Sequence, residues 1–230
     1  MKSTGLHRIP FADKALTILV CLLLADVFLL APLVEMFGRN HLLADLVFTA
    51  VLVFGGLVIW GDLWITNIFV ATGIISISLR VAGVWLPDVD VRGWDAGFAI
   101  FNFGVLTWLV LRRVFCPGRI NVHRVLGAVA VYLLMGLMFA HIYRLIAIGS
   151  PNAFLMLGQP ATYEQIAQHL TYFAFVALTT LGFGDITPVH PMAKSMTLLS
   201  ALLGTMYPAI LIGRLVSQEL LHQATPGAGD

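Results

Sequence analysis

Apolar runs of bilayer length recur along this chain, at 15–34, 42–60, 65–86, 97–111, 125–148 and 193–216. A hydrocarbon core about 30 Å thick is crossed by roughly 20 helical residues. The runs therefore predict an all-α membrane protein with six transmembrane helices, the fourth being the shortest. Composition agrees: 59% of residues are hydrophobic and 11% charged, too little polar surface to cover a water-soluble fold of this size.

The same composition narrows the chemistry. A net charge of +1 with no clustered basic face excludes nucleic acid as a partner. Cys21 and Cys116 stand apart and read as free thiols, with neither a disulfide framework nor a zinc site. There is no His-Glu-x-x-His and no Gly-x-Ser-x-Gly, and the histidines are scattered, so the chain reads as a non-enzyme without a cofactor. Lys2, His7, Arg8 and Lys14 precede the first apolar run, which is too long for a signal peptide and reads as a retained helix.

Lys and Arg in short loops fix orientation. An inside N-terminus puts Lys2, Arg8, Lys14, Arg112, Arg113, Arg119, Arg124 and Arg214 on the cytoplasmic side, leaving Arg39, Arg92, Arg144 and Lys194 outside. Both termini are then cytoplasmic and the protein sits in the cell (inner) membrane. Glu35, Asp88, Asp90, Glu164 and Asp185 fall on the outer side, a sign that favours cation access. The chain divides into a four-helix domain over 1–112, a linker over 113–124 containing the Pro117-Gly118 turn, a last pair of helices over 125–217 and a short tail over 218–230. The basic linker either lies along the inner interface or serves only to orient the chain.

Between the last two spans, 162–178 is too short and too polar to cross, and predicts a re-entrant half-helix. Thr162 is a suitable N-cap, and Gln165 three residues on completes a capping-box pattern. The half-helix points its carbonyl end, with its partial negative charge, toward the membrane centre, where it stabilises a cation. Thr179-Thr180-Leu181-Gly182-Phe183-Gly184-Asp185 follows. Irregular backbone is tolerated at membrane depth only beside water or buried in protein, and Gly182 and Gly184 give access to it. Such a loop can turn its carbonyls toward an axis and replace a cation's water shell.

In that setting the run from Thr179 to Asp185 resembles the selectivity filter of tetrameric potassium channels, and the likeness extends over 123–216. The chain is similar to a bacterial six-helix member with a single pore loop. The resemblance implies a homotetramer, with K+ held by the carbonyls of Thr180, Leu181, Gly182 and Phe183 and by the Thr180 hydroxyl, and no other metal. It further implies that Tyr172, Phe173, Thr179, Gly184 and Asp185 support the filter, and that Gly204 is a hinge in the inner helix. Leu181 stands where the family usually has valine, Phe183 where tyrosine is commoner, Ala177 where threonine is frequent and Val176 where some members carry glutamate. These changes keep the carbonyl ladder and alter its supports, so a poorly selective cation channel is an alternative, as is a non-conducting receptor or scaffold subunit.

A voltage sensor needs basic residues at every third position of the fourth helix, and the 98–111 stretch has none. Gating by voltage is expected to be weak or absent. Asp26, Asp62 and Arg80 lie within apolar spans, where a structural ion pair or snorkelling is the simplest reading. His141 and Arg144 share a face of the fifth helix, placed either to pair with Glu164 or to pack at the headgroups. Pro208 removes a backbone bond one turn after Gly204, marking a bend where the inner mouth can open. No gating ligand is identifiable in the sequence; lipids are the surrounding partners.

Overall fold

The computed structural model describes residues 10–30, 48–56, 63–85, 90–115 and 122–224. Helix α1 spans Pro10–Ala25 and passes into a π-helical turn at Asp26–Leu30. Residues 48–56 are helical (α2). Then come α3 (Leu63–Trp85), α4 (Arg92–Val114) and α5 (Val122–Gly149). Strands β1 (Phe154–Met156) and β2 (Gln159–Pro160), helices α6 (Tyr163–Ile166) and α7 (Leu170–Leu178), strand β3 (Ile186–Pro188) and helix α8 (Pro191–Ala224) complete the order.

Helices α3, α4, α5 and α8 are each long and apolar enough to cross a membrane, and Leu16–Leu29 is a shorter apolar stretch. The predicted second span is described only over 48–56. Residues 1–9, Glu35, Arg39, Asp62, Asp88, Cys116, Arg119 and the Pro117-Gly118 turn lie outside the described residues.

Helix α5 is the centre of the molecule. Its apolar residues run all round the helix, as suits an element enclosed by others, and it packs against α1, α4, α7 and α8. One core gathers Leu19, Leu23, Val51, Phe103, Leu106, Val131 and Leu134 around its first half. A second gathers Phe139, Tyr143, Phe154, Ile166, Leu170 and Phe173 around its other half. Tyr143 is wholly buried there, with edge-on contacts to Phe154 and Phe173 at centroid distances of 6.0 and 5.0 Å.

Several boundaries differ from expectation. The fourth helix is not the shortest: it begins at Arg92 and runs for 23 residues. Arg92, Gly93 and Asp95 depress the local hydropathy, but Asp95 is tolerated inside the helix because it is paired. The last helix continues to Ala224, beyond the expected end of the span, since no proline or glycine follows Gly213 until Pro226. The fold also carries a small antiparallel sheet of order β2-β1-β3, in which Leu155 opposes both Pro160 and Thr187. Strands of two or three residues leave no periodic trace in a sequence.

Candidate functional site

The half-helix forms at the expected place but in two pieces, α6 and α7, separated at Ala167-Gln168-His169 by a tighter turn in which His169 N–H donates to Ile166 O at 2.9 Å. The break divides a polar, mostly exposed start from an apolar, mostly buried remainder. Its cap is the anticipated one: the Thr162 N–H donates to Gln165 Oε1 at 2.8 Å.

The 179–185 loop leaves the carbonyl end of α7. Thr179 N–H donates to Phe175 O at 2.9 Å, Thr180 N–H to Ala177 O at 3.1 Å and Leu181 N–H to Val176 O at 3.0 Å, so three donors tie the loop to the helix it has just left. Thr179 Oγ1 adds a bond to Phe175 O at 2.6 Å. Beyond this anchor, φ is positive at Thr180 (59°), Gly182 (59°) and Gly184 (80°), and not at Leu181 or Phe183 between them. A β-strand keeps one φ sign and turns successive carbonyls to opposite sides; alternating the sign brings them round to a common side. Threonine is β-branched and rarely adopts φ > 0, so Thr180 stores strain of about 1–2 kcal/mol that its surroundings must offset.

Thr179 to Gly184 are exposed, including Leu181 at 61% and Phe183 at 65%. Irregular backbone and apolar side chains are thus presented together on one surface of the chain.

Behind the loop, the Tyr172 ring stacks parallel to Phe183 at 6.5 Å with an interplanar angle of 3°. Phe173 points the other way, into the second core. At the far end of the loop Asp185 O accepts from Leu157 N–H at 2.7 Å, joining the loop to the turn between β1 and β2.

Gly204 sits against the carbonyl end of α7. A Cβ there would stand 2.7 Å from the Leu178 carbonyl carbon and closer still to its oxygen. Tyr132 Oη donates to that same oxygen at 3.4 Å. The glycine is therefore a close-approach position, a role the sequence reading did not assign to it. Pro208 lies within a helix that stays continuous, and removes the donor that would have served Gly204 O. Tyr207 Oη donates to Ala128 O at 2.9 Å, and Arg214 Nη2 to Phe115 O at 2.7 Å, holding α8 to α5 and to the end of α4.

In the peripheral helices, Arg80 Nε donates to Asp95 Oδ1 at 2.9 Å, Ser76 Oγ donates to the same atom at 2.9 Å, and the guanidinium lies 3.8 Å from the Phe48 ring centroid. A structural ion pair for Arg80 is the expectation; its partner Asp95 falls outside the expected span, which starts at 97, five residues after the helix itself begins. Thr72 Oγ1 and Asn102 Oδ1, 3.0 Å apart, continue this polar seam between α3 and α4. Two expectations are corrected. Glu164 pairs with Arg92 at 3.2 Å, not with Arg144, whose Nη2 donates to Thr171 Oγ1 at 2.9 Å. His141 is buried away from the headgroups, stacked on Phe103 at 5.5 Å, because α4 and α2 cover that face of α5.

Residues 131–218 match a protein-family model described as "Ion channel". The match takes in most of α5, the half-helix, the 179–185 loop and nearly all of α8. It supports an ion-channel family for this part of the chain, and hence a membrane protein that passes ions and is not an enzyme. No curated protein and no solved structure matches the chain.

Proposed function

We propose that the protein is a potassium-selective channel that conducts K+ passively through a homotetrameric pore and is gated weakly or not at all by voltage. The alternating φ signs at Thr180, Gly182 and Gly184, at the carbonyl end of α7, carry this reading. In it, the carbonyls of Thr180, Leu181, Gly182 and Phe183 and the Thr180 hydroxyl replace the hydration shell of K+. Thr179 and Tyr172 brace the strand, Gly184 permits its turn and Asp185 closes its outer end.

Oligomerisation follows from the exposure of this loop. A backbone with unpaired polar groups cannot face lipid, and one strand supplies only one side of an ion cage. Copies arranged around a common axis satisfy both needs. The apolar exposed face of α8, including Leu198, Leu202 and Ile210, suits burial against neighbouring copies or lipid.

With the N-terminus inside the inner membrane, the Asp90, Arg92 and Glu164 cluster lies at the outer end and Arg214 with Phe115 at the inner end. Phe183 favours a second reading, a poorly selective cation pore, because the filter there lacks a hydroxyl of its own. Purified protein in liposomes loaded with K+ tests the first reading: it predicts K+ efflux when valinomycin-independent flux is measured, and flux no greater than from empty liposomes refutes it.

A further inference from the structure

Arg144 has no role in the reading above, yet it is the basic side chain of α5 that reaches the half-helix. Its Nη2 donates to Thr171 Oγ1 at 2.9 Å, in the first turn of α7. Thr171 directly precedes Tyr172, the residue that stacks on Phe183. Asp26, at the π-helical turn after α1, Asp95 on α4, Tyr163 on α6 and Arg80 on α3 all lie within electrostatic range of Arg144. His141, one turn earlier on α5, is packed against Phe103 and Phe48. The guanidinium thus ties α5 to the first turn of α7 through Thr171.

We propose that Arg144 is a positioning residue for the filter, anchoring the first turn of α7 through Thr171 and so steadying Tyr172, whose ring stacks on the loop. A guanidinium suits this task because it spans several acceptors with donors in a fixed plane and keeps its charge when partly buried. The consequence for ion passage rests on the proposed channel function; the anchoring does not.

Hydrogen exchange in the full-length protein in nanodiscs reads the anchoring directly. Thr171→Val removes the acceptor while keeping the branched shape, and should speed exchange of the 170–178 amides roughly tenfold, as expected for loss of a bond to a charged donor. Arg144→Gln should do the same, the double variant should exceed neither single variant, and Arg144→Lys should recover most of the protection. A merely structural arginine predicts that effects of R144Q and T171V multiply and spread along α5. That outcome, or unchanged exchange in T171V alone, overturns the proposal even if R144Q fails to fold. In parallel, K+ against Na+ reversal potentials should fall for T171V. Absence of wild-type current refutes the channel function and leaves the exchange result standing as the test of the anchor.

Discussion

Gly204→Ala is the substitution whose outcome the packing determines most sharply. The added methyl meets backbone, the Leu178 carbonyl, and not the end of a pliable side chain. Either α8 moves away from α7 or the end of α7 shifts, and the Tyr132 bond to Leu178 O is stretched in both cases. Overpacking of this kind costs about 1–3 kcal/mol, and a neutral hydrogen bond adds about 0.5–1.5 kcal/mol. The helical gain from replacing glycine by alanine, about 1 kcal/mol, opposes them. The net expected loss is about 2 kcal/mol, or roughly 4–8 °C in Tm for a chain of this length. Gly213, on the same helix with nothing within 4 Å of its would-be Cβ, is the control: Gly213→Ala should hold or raise the Tm. Thermal denaturation followed by size-exclusion of the detergent-solubilised protein gives both values. A Gly204→Ala protein as stable as wild type refutes the close-approach argument. If its Tm instead rises while open probability falls, the glycine serves as a hinge and not as a contact.

Removing one partner of the Arg80–Asp95 pair leaves a poorly solvated carboxylate, so Arg80→Gln should destabilise the protein by about 3 kcal/mol, whereas Arg80→Met with Asp95→Leu should recover most of it; equal losses in single and double variants would count against the pairing. The outer cluster should be pH-sensitive only in acid. The Arg92 backbone N–H and then its side chain hold the Asp90 carboxyl below its usual range, and Glu164 is lowered first by a backbone N–H and then by Arg92. Folded values below unfolded ones mean that the contribution is present above the ordinary carboxylate pKa of about 4 and is lost as pH falls through the lower folded values. Exchange of the 154–164 amides should stay constant from pH 7 to 5 once corrected for intrinsic rate, and loosening in that interval would contradict the assignment. Conductance should vary little with voltage: α4 carries no basic residue between Arg92 and Arg112, and a single charge moved across the membrane supplies only about 2.3 kcal/mol per 100 mV. A steep conductance–voltage curve in a planar bilayer would refute this.

Much of the architecture was legible because it is written in length and hydropathy, properties a bilayer reads in the same way. The capping box at Thr162 and Gln165 and the loop from Thr179 to Asp185 were legible for a different reason: their geometry depends on residue type at fixed spacing. What escaped depends on contacts between distant segments. Asp95 looked like a loop residue because its charge lowered the local hydropathy, and only the approach of Arg80 and Ser76 from α3 explains its place in a helix. The resemblance, with Pro208 one turn on, implies a hinge at Gly204, while its contact with Leu178 O requires knowing how closely α7 and α8 approach. For Glu164 the sequence leaves Arg144 or His141 as one candidate partner beside headgroup packing, because only the fold shows that the start of α4 brings Arg92 there. The strands at 154–156, 159–160 and 186–188 are too short for any periodicity.

The central claim concerns which ion the 179–185 loop passes. A planar bilayer containing only this protein, with KCl on one side and NaCl at equal concentration on the other, tests it most directly. Selective potassium conduction predicts a reversal potential displaced toward the K+ equilibrium value, by about 59 mV for each factor of ten in preference. A reversal potential near zero contradicts potassium selectivity and assigns the loop to a general cation pore; absence of current contradicts the channel itself.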